Sequence, residues 1–171
     1  MIQRPLPGEY KPYFQGYIDH VPDGNFMDIL TTNTNEATAF FENIPADKID
    51  YRYAEDKWTI KQVLMHITDV ERIMAYRALV AARGDNTTPL HSMDDHLYMA
   101  NSNAANRTIK SLVAEFKAVR GATQQMFETI TDEQSIFPAN AVTYTVTARA
   151  LGYIITGHTL HHLKGIKENY L

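Results

Sequence analysis

The stretch Leu151-Gly152-Tyr153-Ile154-Ile155-Thr156-Gly157-His158-Thr159-Leu160-His161-His162-Leu163-Lys164-Gly165-Ile166 sets Leu151, Ile155, His158, His162 and Ile166 three or four residues apart. That is the period of an α-helix, so the five side chains share one line along it. The line is apolar except for two imidazoles one turn apart. Two neutral imidazoles buried in a core need partners. One divalent ion would satisfy both, as in other helical His-x-x-x-His sites. Hydrogen bonds to nearby carboxylates are the plainer alternative. The pair alone leaves an ion short of ligands, so the rest of the chain must supply a third. His161 points about 100° away from His162 on such a helix. It reads as facing solvent or as a donor behind the site.

Working outward, a second long helix runs from about Trp58 to Ala82. Ile60, Val63, Leu64, Ile67, Val70, Met74, Ala78 and Ala81 form its apolar stripe, and Gly84 and Asp85 end it. His66 flanks that stripe, three residues after Val63. Alone it would read as a packed, hydrogen-bonded histidine; beside His158 and His162 it is the candidate third ligand. A first helix spans Asn25 to Ile44, with Leu30, Ala37, Phe40, Phe41 and Ile44 in phase and Pro45 as its stop. The third covers about Arg107 to Ile130, on Ile109, Leu112, Val113, Phe116, Val119, Met126, Phe127 and Ile130, with Gly121 a soft spot inside it. The fourth starts near Val146, with Thr145 or Thr147 as N-cap.

Four inward stripes predict an all-α four-helix bundle, which builds metal sites from facing helices. If helices two and four are antiparallel neighbours, His66, His158 and His162 fall at one level. Three imidazoles and an open position make a catalytic type of site. With no carboxylate ligand, the ion would keep its double charge and acidify a bound water or thiol. Zinc and nickel both suit imidazole; iron and manganese stay open.

The segments between the helices are less regular. Prolines 5, 7, 12 and 22 and glycines 8, 16 and 24 forbid a long helix over residues 1–24, which read as an irregular arm strapped to the body. Ala46 to Lys57 is a polar connection with interspersed tyrosines. Thr131 to Thr145 reads as a loop, with strand propensity over Ala141 to Val146 that is short and unpartnered. Gly84 to Asn106 is long for a bundle connection, with room for a helical turn at Asp95 to Ala100. A helix of ~24 residues is ~36 Å long, and some twenty extended residues reach ~66 Å. The chain can therefore run back along the bundle and leave helices two and three parallel.

The chain has 171 residues, enough for one domain with a real core over 1–171, the bundle occupying about 25–169. Its net charge of −4 argues against a general nucleic-acid binder. It has no cysteine, so a thiol in the chemistry would have to come from a substrate. No apolar run reaches membrane-spanning length and the first residues lack a signal-peptide core, so a cytoplasmic location is expected. His20, His91 and His96 read as surface residues. Asp69 and Glu71 could orient a ligand imidazole but read as solvated charges. Arg72, Arg77 and Arg83 could bind an anionic substrate but read as a solvated basic face.

Trp58-Thr-Ile-Lys-Gln-Val-Leu-Met-His66, continuing Ile-Thr-Asp69-Val-Glu71-Arg72, resembles the second-helix motif of the DinB/YfiT-like superfamily. Tyr76-Arg77-Ala-Leu-Val-Ala-Ala-Arg83-Gly84-Asp85, Gly157-His158-Thr-Leu-His161-His162 and the opening Arg4-Pro5-Leu-Pro7-Gly8-Glu9-Tyr10 fit the same branch, so the resemblance covers nearly the whole chain. It implies an up-down-down-up four-helix bundle, in agreement with the long second connection. It implies a divalent metal on three histidines, carried over onto His66, His158 and His162, and a homodimer. Relatives include transferases and isomerases that use low-molecular-weight thiols such as bacillithiol or mycothiol.

Three functions follow as expectations. The first is a thiol-dependent S-transferase, in which the metal binds a small-molecule thiol and presents the thiolate to an electrophile. The second is a metal-dependent hydrolase, which would want a carboxylate base beside the open position, with Glu71 or Asp69 turned inward. The third is a non-catalytic, stress-related binding module whose metal only ties helices two and four together, favoured by a fourth protein ligand such as His161 or a loop carboxylate.

Overall fold

The computed structural model describes residues 1–171. Four long helices carry the fold: α1 (Phe26–Glu42), α2 (Ile60–Ala82), α3 (Ile109–Glu128) and α4 (Ala148–Asn169). Each begins where a side chain accepts from the otherwise unpaired amides of the first turn. Asn25 takes Met27 N and Asp28 N at 2.9 and 3.2 Å. Thr108 takes Ser111 N at 3.1 Å, and Thr147 takes Ala150 N at 3.2 Å. At α2 the capping is reciprocal: Thr59 Oγ1 accepts from Gln62 N at 3.3 Å, and Thr59 N donates to Gln62 Oε1 at 2.9 Å. Of the two candidate caps of α4, Thr147 is the one used. Gly84, at φ +77, turns the chain out of α2.

Cross-helix contacts fix the directions. Arg107 lies beside Met65, and Arg72 beside Glu115, so α2 and α3 run parallel. Asn33 meets Arg120 while Thr31 meets Gln124, so α1 and α3 are antiparallel. Phe26 stacks on Tyr153 and Lys167 covers Phe40, so α1 and α4 are parallel. It follows that α2 and α4 are antiparallel, and His66, early in α2, meets His158 at the middle of α4. The order is up-down-down-up, and the long second connection makes the return.

That connection contains the helix Asp95–Asn101, as its sequence suggests, capped by Asp94 on Leu97 N at 3.0 Å. The segment after α3 differs from the expected loop. It holds the short helix Asp132–Ser135 and a hairpin, β1 (Pro138–Asn140) antiparallel to β2 (Thr145–Thr147). The strand propensity near Val146 does find a partner, only a few residues earlier in the chain. Val142, at φ 66, sits in the turn.

The apolar core forms two clusters. One joins the N-terminal arm, the start of α1 and α4 and the end of α2 and α3; the other gathers the opposite end of all four helices. The arm contributes Ile2, Tyr10, Phe14, Ile18 and Val21 to the first cluster. Between the clusters lies a buried polar layer that includes Asn33, His66, Glu71, Arg120, His158 and Thr159. The candidate site belongs to this layer.

Candidate metal centre

His66, His158 and His162 come together as the sequence predicts. Their ligand atoms all lie within 4.8 Å of one another. His158 Nε2 is 3.2 Å from His66 Nε2 and 3.0 Å from His162 Nε2. Two nitrogens held ~2.1 Å from one ion lie about 3.0–3.4 Å apart, from octahedral to tetrahedral angles. These two spacings therefore fit a shared ion. They fit hydrogen bonding less well: a neutral imidazole nitrogen either donates once or accepts once, so His158 Nε2 cannot serve both neighbours fully.

The rings are held in the neutral form that a metal ligand requires. Burial pushes the His158 imidazole well below its ordinary value, and His162, His66, His161 and Arg120 push the same way. Burial, with His66 and His161, lowers His162 to about 3. Burial lowers His66 also, against the opposing charge of Asp95.

Packing fixes the rings from several sides. Trp58 lies against His66 with centroids 4.8 Å apart. Tyr17, from the arm, stands edge-on to His158 at 5.3 Å and to His161 at 5.2 Å. Burial and the Tyr13 hydroxyl push the Tyr17 phenol upward, so it contributes a neutral ring. The arm reaches this depth because Gly157 has no side chain: a Cβ there would lie 1.9 Å from the Tyr17 carbonyl oxygen. His161 is exposed, stays outside the ligand group and packs toward Tyr17 and His20. A pocket of about 650 Å³ opens onto His162, with Trp58, His96 and His161 among its lining.

Two surface readings are corrected by burial. Glu71 is 2% exposed rather than solvated, and Arg120, at 0%, is its partner. Arg120 Nε donates to both Glu71 oxygens at 2.7 and 2.9 Å, Nη1 to Asn33 Oδ1 at 2.6 Å and Nη2 to Thr159 Oγ1 at 3.0 Å. One residue from each long helix thus meets on one guanidinium. Arg120 is absent from the sequence reading, although it lies four residues after Phe116 and seven before Phe127, in phase with the stripe. A charge at such a position is the signal that could have found it. Arg77 is also buried, donating to the His91 carbonyl, and belongs to no basic face. Arg72 does lie at the surface, bonded to Asp69 at 3.2 Å and Glu115 at 2.6 Å, and Arg83 is exposed. His91 and His96 are exposed and His20 is half-buried.

The bundle order and the three-histidine layer define a class. The chain belongs to the DinB superfamily, whose sequence profile matches residues 29–166. Among solved structures it is similar to YfiT from Bacillus subtilis, described as "a probable metal-dependent hydrolase with an unusual four-helix bundle topology", with a TM-score of 0.73 at 17% identity over 97% of this chain and 90% of that one. It is also similar to a mycothiol-dependent maleylpyruvate isomerase, with a TM-score of 0.68 at 10% identity over 86% of this chain and 61% of that longer one. The DinB-like YjoA of Bacillus subtilis gives a TM-score of 0.60 at 20% identity, over 85% of this chain and 88% of that one. No curated protein sequence matches the chain. No helix is long and apolar enough to cross a membrane.

Proposed function

We propose that His66, His158 and His162 hold one divalent metal ion, and that the chain is a metalloenzyme transferring a low-molecular-weight thiol to an electrophile. The convergence of three neutral imidazoles, two of them buried and His162 partly so, carries this reading. Zinc or nickel suits such a donor set best. A divalent ion there lowers the pKa of a bound thiol and so supplies a thiolate near neutral pH. The protein positions the three nitrogens, shields them from protonation and leaves one side open to the pocket at His162.

The choice of thiol transfer over hydrolysis rests on the carboxylates. Glu71 points inward, but both its oxygens accept from Arg120. Asp69 is bonded to Arg72 on the side of α3. Neither is free to act as a base beside the ligands, whereas a thiolate needs none. A purely structural ion would call for a fourth protein ligand, and His161 faces away.

Metal analysis of untagged, chelator-free protein tests the site. Wild type should carry near one zinc or nickel ion per chain, and His158→Ala should carry almost none. Consumption of a test electrophile should then require both the metal and a low-molecular-weight thiol. Ester or amide turnover without any thiol would replace this reading with the hydrolase. Absence of metal, with no thermal shift on adding zinc or nickel, would overturn both.

A further inference from the structure

The pocket beside the triad is walled with more aromatic surface than the proposed chemistry uses. Its walls come from three segments that are far apart in sequence: Tyr53 and Trp58 from the connection before α2, His96 from the helix Asp95–Asn101, and Tyr170 at the end of α4. The buried Val63 and Ile166 line its depth. Several of its polar groups are already engaged. The Tyr170 hydroxyl donates to the Trp58 carbonyl at 2.7 Å, and Asp56 pairs with Lys57 at 3.0 Å. Tyr53 meets Tyr170 edge to face at 4.9 Å, and Trp58 meets His96 at 5.9 Å. Between these groups the wall presents ring surface to a ligand; Glu168, 3.9 Å from Lys164, and Asn169 also line the pocket.

We propose that this pocket seats an aromatic, or similarly flat and apolar, body of the substrate against Tyr53, Trp58 and Tyr170, with its reactive group turned to His162. This deepens the metalloenzyme reading and rests on it. The volume, about 650 Å³, lies within the range of small-molecule sites. Rings accept a flat apolar partner through offset and edge contacts that an aliphatic chain does not reproduce. An anionic body finds no unpaired cation in the lining, because Lys57 is paired with Asp56 and the remaining charged side chain is the carboxylate of Glu168.

Two hydroxamates with the same metal-binding head test the seat: benzohydroxamate and acetohydroxamate. Each is titrated onto zinc-loaded wild type and Tyr53→Ala, by calorimetry and by the fluorescence of Trp58, the only tryptophan. Tyr53 is 42% exposed, so the variant should fold and keep its metal, which is measured on the same samples. Benzohydroxamate should bind wild type at least about tenfold tighter, from the apolar area its ring buries. Tyr53→Ala should reduce that preference by about three- to tenfold, the worth of an aromatic pair, with acetohydroxamate unchanged. Equal affinities in wild type, or a preference undiminished in Tyr53→Ala, would overturn the aromatic seat and leave the metal site standing. Failure of both zinc and nickel to load would instead overturn the metal reading, and the seat with it.

Discussion

At the scale of the residue, Arg120 is the most consequential side chain outside the triad. A fully buried guanidinium is tolerable only because Glu71, Asn33 and Thr159 surround it. Glu71→Ala should cost about 3–5 kcal/mol, because it strands a buried charge. The double variant Glu71→Met, Arg120→Met should recover much of that loss, since no charge is left to desolvate. Urea unfolding of the single and double variants decides the point; a double no better than Glu71→Ala would show that the pair adds stability itself. The triad gives a prediction in pH. The folded-state values of His158 and His162 lie below the ordinary imidazole value, about 3 for His162. The unfolded chain therefore binds protons below ~6.5 that the folded chain refuses, so acid favours unfolding. Metal-free protein should hold this contribution above pH ~6.5 and lose it steadily as pH falls toward 3. The urea midpoint, followed in chelator from pH 7.5 to 5, should drop, and His162→Gln should flatten the drop.

At the scale of the element, α4 and α3 place opposite demands on a glycine within them. Gly157 lets the arm's Tyr17 carbonyl approach the helix backbone, whereas nothing lies within 4 Å of a Cβ at Gly121 in α3. Intrinsic propensity alone makes both Gly→Ala changes stabilising, by up to about 1 kcal/mol. Gly121→Ala should follow that rule. Gly157→Ala should reverse it, destabilising by about 1–3 kcal/mol through overpacking against backbone that has no rotamer to change. Thermal unfolding gives the sign, and faster proteolysis within residues 1–24 of Gly157→Ala would locate the effect in the arm. A stabilised Gly157→Ala would mean that the arm is not held at this contact.

At the scale of the whole molecule, the triad joins α2 to α4 across the polar layer that separates the two apolar clusters. An ion bound there would bridge two helices whose histidines lie 92 residues apart. Zinc at about a hundred times its dissociation constant should stabilise the fold by about 2.7 kcal/mol. For a chain of this size that is a rise of about 5–10 °C in Tm. The rise should vanish in His158→Ala. Calorimetry of metal-free protein, with and without zinc, reads it directly.

The four long helices, a capping threonine for the last of them and, given antiparallel neighbours, the level at which three histidines could meet are legible in the sequence alone. Those features rest on short-range physics: a 3.6-residue period, a capping hydroxyl within three residues, a proline or glycine at a stop. The stripe Leu151, Ile155, His158, His162, Ile166 was legible for that reason, and so was the long return before α3. The tertiary structure alone decided which charges are buried. Glu71 looks like any helix carboxylate until Arg120, 49 residues on, is seen beside it. It also decided that the segment after α3 pairs into a hairpin, that the arm reaches His158 through Tyr17, and that Tyr53, His96 and Tyr170 share one pocket wall. Each of these depends on contacts between distant parts of the chain, and no local periodicity encodes them.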